Sequence, residues 1–230
     1  MASPGIVAVA ADLKSTLLEG IGPADLKDIL EAARPQRFLA NSVIFNQGNP
    51  AQYLYLLTKG RARHFFMTDE GRKLLLKWLL PGEIFGGRTL LSKPSSYLVS
   101  VETIEDSNVL VWERSVVRGL ASRYPRLLEN ALLTASDYFA WYVATHVALT
   151  SYSARRRLAG IVICLAELIG QRVPGGFEFH ATNEELASAA NITPFTASRL
   201  LSDWQRDRAL LKRRGKILLR SPEKLFLHTV

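Results

Sequence analysis

"TNEELASAANITPFTASRLLSDW", residues Thr182–Trp204, decides the architecture of its end of the chain. Thr182 and Glu185 stand in the T-x-x-E spacing of a capping box. There the hydroxyl takes an amide of the first turn and the carboxylate reaches back to the cap. A helix therefore starts here and buries Leu186, Ala187 and Ala190. Asn191 suits the left-handed corner that ends it. Thr193 caps a second helix, with Pro194 at the first position, where a missing N–H costs nothing. Within that helix Ala197, Leu200, Leu201 and Trp204 share one face, while Phe195, Thr196, Ser198, Arg199 and Ser202 point elsewhere. A short scaffold helix, a tight corner and a second helix with a polar outer face predict a helix-turn-helix.

Working outward, "ALLKRRGKILLRS" (residues 209–221) reads as strand, basic turn, strand. Such a hairpin is a wing, and its Lys212, Arg213, Arg214 and Lys216 suit phosphate contacts. The candidate DNA face is thus Thr182, Thr193, Pro194, Phe195, Thr196, Ser198, Arg199 and Ser202 with those four cations. Arg199 is the candidate base reader, because a guanidinium matches guanine O6 and N7. The alternative is a surface pair with Asp203, four residues on. Charge agrees with a polyanion partner: residues 151–230 hold 13 Lys/Arg against 7 Asp/Glu, whereas the rest holds 16 against 14.

Upstream, residues 12–33 read as short amphipathic helices broken at Gly22–Pro23. From Arg37 to Val117 the chain is rich in Val, Ile, Leu, Phe and Tyr, with glycines about a dozen residues apart. "YLYLLTKGRARHFFMTDEGRKLLLKWLLPGEIFG" (residues 53–86) reads as three apolar strands with turns at Lys59–Gly60, Glu70–Gly71 and Pro81–Gly82. An antiparallel, barrel-like roll follows. From about Arg118 the period becomes helical. Leu128, Leu132, Ala135, Phe139, Tyr142, His146 and Leu149 are spaced alternately four and three apart, a heptad seam. Leu133, Tyr138, Trp141 and Val143 form a second apolar set. Two sets predict two contacts, one with the roll and one with a second copy of the helix. The alternative is burial of both within one chain. Another helix is expected from Ala154 to about Gly170, then a turn into a strand at "VPGGFEF" (residues 173–179).

The expected class is α+β: an N-terminal antiparallel β-roll of jelly-roll type (1–118), a long dimerisation helix (119–150) and a C-terminal winged helix-turn-helix (151–230). The lone Cys164, in an apolar run, reads as a core residue and makes no disulfide, thiolate zinc site or iron–sulfur cluster by itself. The first residues lack a basic leader, and Leu158–Gly170 is too short to span a bilayer. A cytoplasmic protein without a membrane partner is expected. No phosphate loop, nucleophile motif or paired carboxylate suggests an enzyme.

This order of parts resembles the CRP/FNR family of bacterial transcription regulators. The resemblance rests on "VIFNQGNPAQYLYLLTKGRA" (43–62) and "DEGRKLLLKWLLPGEIFGG" (69–87) in the roll, and on residues 182–219 beyond it. It implies a homodimer on palindromic double-stranded DNA, one recognition helix per half-site, with RNA polymerase as a further partner. Arg199 matches the family's base-contacting arginine, and Ser198 resembles the FNR-like branch. Phe195 stands where many members carry a glutamate, and Pro194 where some carry an arginine, so the half-site sequence is left open and Phe195 either meets a thymine methyl or packs locally. In the sensing part, Gly87 replaces the ribose-binding glutamate and Ser95 the phosphate-binding arginine, with Arg88 displaced by one, a shift that on a strand changes face. Cyclic AMP is therefore not the expected effector. Haem, with His64 and His146 as axial candidates, is the weaker alternative to a different small molecule or to no ligand at all. The candidate effector lining is Phe85, Gly86, Gly87, Arg88, Tyr97, Leu98, Tyr138 and Trp141, and no metal ligand set is assigned. The competing function is a cyclic-nucleotide-like ligand-binding module that acts through protein contacts.

Overall fold

The structure, a computed structural model, describes residues 13–213 and 215–226. Contacts divide the chain into two compact units, Met1–Trp141 and Tyr142–Val230.

The described part of the first unit begins with a 3-10 turn, Thr16–Leu18, and α1, Pro23–Glu31, which starts at the proline expected to break the two. Eight strands follow: β1 (Arg34–Phe38), β2 (Val43–Phe45), β3 (Tyr53–Lys59), β4 (Ala62–Met67), β5 (Lys73–Leu79), β6 (Ile84–Phe85), β7 (Ser100–Thr103) and β8 (Ser107–Glu113). They form two antiparallel sheets, ordered β1-β8-β3-β6 and β2-β7-β4-β5. Then come α2 (Arg114–Arg123) and α3 (Pro125–Ser151). The helical region expected from Arg118 thus begins four residues earlier and is broken before Pro125. That residue is disfavoured inside a helix because it lacks an N–H.

β3 explains why the strand sequence reads as an unbroken apolar run rather than an alternation. Successive side chains leave opposite faces. Tyr55 and Leu57 enter the roll interior with Phe45, Phe85, Tyr97, Val101 and Val109. Leu54 and Leu56 face the helical layer, packing with Trp112, Ile29, Leu30 and Leu127. A sheet covered on both faces selects apolar residues at every position. The helical layer is also held by polar bonds. The Trp112 indole N–H donates to the Ile29 carbonyl at 2.8 Å. The buried Asn130 amide donates to the carbonyls of Leu17 and Glu19 at 2.9 and 2.8 Å. Gly82 turns at φ +97°, and a Cβ there would meet the Lys14 carbonyl oxygen at 2.1 Å, so no other residue fits.

The second unit comprises α4 (Ala154–Ile169), β9 (Gln171–Val173), β10 (Gly176–His180), α5 (Asn183–Ala189), α6 (Pro194–Arg206), β11 (Leu210–Arg213) and β12 (Lys216–Leu219). Its sheet runs β11-β12-β10-β9. Leu158, Val162, Phe179, Leu186, Ala197, Leu201, Trp204 and Ile217 are fully buried there. Among the described residues no helix is long and apolar enough to cross a membrane. No cluster of three or more His, Cys, Asp or Glu among them could hold a metal ion.

Candidate nucleic-acid interface

The corner between α5 and α6 is built as its residues demand. The Glu185 amide donates to Thr182 Oγ1 at 3.1 Å, and the Thr182 amide donates to Glu185 Oε2 at 2.9 Å. Asn191 takes φ +49° at the corner. The Thr196 amide donates to Thr193 Oγ1 at 3.1 Å, with Pro194 opening the helix. One clamp has no counterpart in the local pattern. Arg157 of α4 donates to the carbonyls of Ala190 and Asn191 at 2.8 and 3.2 Å, and to that of Tyr152 at 2.7 Å. Its guanidinium satisfies the carbonyls that a helix end leaves open.

With Ala197, Leu200, Leu201 and Trp204 inside, the opposite side of α6 is exposed at Phe195, Ser198, Arg199 and Ser202. The alternative Arg199–Asp203 pair does not form. Asp203 is instead engaged by Arg206, three residues on. Helix geometry allows either pairing, but only one guanidinium takes the carboxylate. Among the described residues none forms a hydrogen bond or ion pair with Arg199, so its five donors face outward. The Ser202 hydroxyl donates back to the Ser198 carbonyl at 2.9 Å, and those of Thr193 and Thr196 bond to each other at 2.9 Å.

β11 and β12 pair as the expected hairpin, with Arg213 opposite Lys216. Its cations are not equally available. Lys212 Nζ donates to Asn183 Oδ1 at 2.7 Å. Lys216 Nζ pairs with Glu178 at 2.8 Å, which holds that carboxyl below its ordinary range. Arg213 is exposed, and Arg214 lies outside the described residues.

The seam of α3 is largely exposed. Leu132 and Phe139 show 70% and 71% of their surface, and Leu128, Ala135, His146 and Leu149 are also exposed, while Tyr142 is half-buried. Of the second apolar set, Tyr138 and Trp141 are half-buried, and Leu133 and Val143 are exposed. Inside the first unit the Tyr138 hydroxyl donates to the Ile84 carbonyl at 2.9 Å.

The candidate effector residues fall into separate places. Phe85 and Tyr97 belong to the packed roll interior. The Tyr97 ring stacks on Phe45 at 3.8 Å, and that of Phe85 on Tyr55 at 4.9 Å. Burial raises the pKa of the Tyr97 phenol, whose oxygen accepts from the Tyr53 amide and donates to the Tyr53 carbonyl, both at 2.9 Å. Leu98 is on the surface. The strand-face argument for Arg88 does not hold. Gly86 turns at φ +79°, and Gly87–Leu90 is a 3-10 turn, in which strand alternation does not apply. There the Arg88 Nε is buried without a hydrogen-bond partner. Tyr138 and Trp141 line a cavity of about 240 Å³ with Lys77, Glu83 and Thr134. His64 is buried in β4 with its ring edge-on to Tyr138 at 5.9 Å. Burial, helped by Lys77, lowers its pKa to about 3, so it is neutral. His146 is exposed on α3.

A two-sheet roll, a long helix and a capped helix-turn-helix with a strand hairpin define a sensor-coupled DNA-binding regulator. Comparison with known proteins reaches the same class. Residues 35–124 match the cyclic nucleotide-binding domain family, and residues 156–226 the Crp-like helix-turn-helix domain family. The chain is 24% identical over 216 residues to the anaerobic regulatory protein of Bacillus subtilis, covering 89% of this chain and 84% of that protein. It is 28% identical over 187 residues to the cyclic AMP receptor protein of Thermus thermophilus, covering 81% and 84%. Its fold also matches the cyclic-di-GMP-responsive global regulator CLP of Xanthomonas campestris. That TM-score is 0.78 at 20% identity, over 86% of this chain and 99% of that one. The chain belongs to the CRP/FNR family of transcription regulators. It is a DNA-binding regulator and not an enzyme, and regulators of this type bind DNA, typically as dimers.

Proposed function

We propose that the chain acts as a homodimer joined along α3 and binds a palindromic site, with α6 of each protomer in the major groove and Arg199 on a guanine. The observation that carries this is the exposed, uncommitted Arg199 on a face whose one nearby carboxylate is taken by Arg206. The exposed seam around Leu132 and Phe139 supports the dimer. Two-fold symmetry then sets the half-sites about 34 Å apart, one helical turn of DNA. RNA polymerase is the downstream partner, and an effector in the first unit biases how the two reading heads sit. Gly87 and Ser95, in place of the family's ribose and phosphate contacts, support an effector other than cyclic AMP, and the cavity beside Tyr138 and Trp141 is the space proposed for it. Native mass spectrometry of the purified protein, with an absorbance spectrum, reports dimer mass, retained small molecule and haem together.

Selection from a random duplex pool, followed by titration at fixed salt, tests the DNA reading. Arg199→Ala is expected to lose about 1–3 kcal/mol on the selected site and to relax preference at one base pair per half-site. Equal weakening on every duplex makes Arg199 a phosphate contact and removes its base-reading role.

A further inference from the structure

Phe195 is 80% exposed, and among the described residues no other large hydrophobic side chain is as open. A single apolar side chain at a surface is ordinary. The location of this one is not. It is the second residue of α6, one turn before Arg199 and on the same exposed side as Ser198. Around it the polar groups are occupied: the hydroxyls of Thr193 and Thr196 bond to each other, and that of Thr193 also caps the helix. What projects from the start of α6 is therefore a phenyl ring.

A phenyl ring has nothing to offer a phosphate. Along the major groove the apolar group within its reach is the C5 methyl of thymine. We propose that Phe195 is a specificity-determining residue that reads a thymine by packing its ring on that methyl. Phe195 and Arg199 are four residues apart, about 6 Å along the helix axis. Base pairs rise about 3.4 Å, so the thymine lies within two base pairs of the guanine read by Arg199. The ring at this position thus selects for a methyl, where a carboxylate would select for a cytosine amine. The inference rests on the DNA reading proposed above.

The test uses the full chain and a duplex recovered by pool selection. Each thymine of a half-site is replaced in turn by deoxyuridine, which removes only the methyl, and binding is compared for wild type and Phe195→Ala. Wild type is expected to lose about fourfold at one thymine per half-site, and about fifteenfold when both half-sites are replaced, the value of one buried methyl at each. That thymine lies within two base pairs of the position where Arg199→Ala relaxes preference. Phe195→Ala binds the thymine and uracil duplexes equally, and its melting temperature matches wild type because the ring is outside the core. An enriched site with a flat uracil profile, or a loss that persists in Phe195→Ala, overturns the methyl contact alone. A pool that enriches no sequence overturns the DNA reading and this inference with it.

Discussion

Replacing Phe139 by alanine tests the dimer along α3. A phenylalanine contributes about 150–250 Å² of apolar surface. With 71% of it open in the single chain, an interface has roughly 140 Å² per ring left to cover. At about 25 cal/mol per Å² full coverage is worth about 3.5 kcal/mol, and the methyl that alanine retains lowers the loss to about 2–3 kcal/mol per ring. A symmetric interface holds the ring twice, so the dimer loses about 4–6 kcal/mol. That is roughly three to four powers of ten in the dissociation constant. Sedimentation equilibrium across a concentration series reads this directly. Leu98→Ala serves as the control, since that residue is 64% exposed but lies on the roll surface, and its dimer constant is expected to stay at wild type. A Phe139→Ala protein that remains dimeric at the wild-type constant refutes α3 as the joining surface.

Arg157→Ala removes two carbonyl contacts at the α5–α6 corner and a third, to Tyr152, ahead of α4, and is expected to lower stability of the second unit by about 2–3 kcal/mol; Arg157→Lys should not restore it, because one ammonium cannot hold all three. Chemical denaturation checks both, and an unchanged midpoint removes the clamp. Arg213→Ala should lower affinity alike on all sequences and reduce the salt slope by about one per protomer, measured by titration at several salt concentrations. His64 is neutral when folded, with its pKa lowered to about 3 by burial and then by Lys77, against 6.5 when unfolded, and its ring lies edge-on to Tyr138. Its contribution is complete above pH 6.5 and falls by up to about 1.4 kcal/mol per pH unit as pH drops toward 3. The stability–pH curve of His64→Leu is expected to be shallower by one proton between pH 6 and 4, and parallel curves disprove a buried neutral imidazole.

The helix-turn-helix was legible because each of its signals is local. Capping pairs, a proline at a first helical position and an asparagine at a left-handed corner act within a few residues. The glycines that punctuate the roll are local too. What escaped the sequence depends on groups far apart in the chain. Nothing beside Arg157 marks it as the clamp of a corner more than thirty residues away. The sequence leaves the partner of Asp203 open, because Arg199 and Arg206 both lie within one turn of it, and only the packed helix chooses Arg206. Gly86 was legible as a turn, but the 3-10 geometry after it was not, so Arg88 was placed by strand logic that does not apply there. Pro125 marks the break between α2 and α3 locally, but the heptad spacing that begins at Leu128 carries no sign of where its helix starts.

On its outer side α6 carries one cation not already paired, Arg199, and the hairpin behind it keeps Lys216 on Glu178. In the DNA reading proposed above, that division separates two tasks: with no carboxylate competing for its guanidinium, Arg199 is left to choose between bases, while the exposed Arg213 of the hairpin adds hold that is indifferent to sequence.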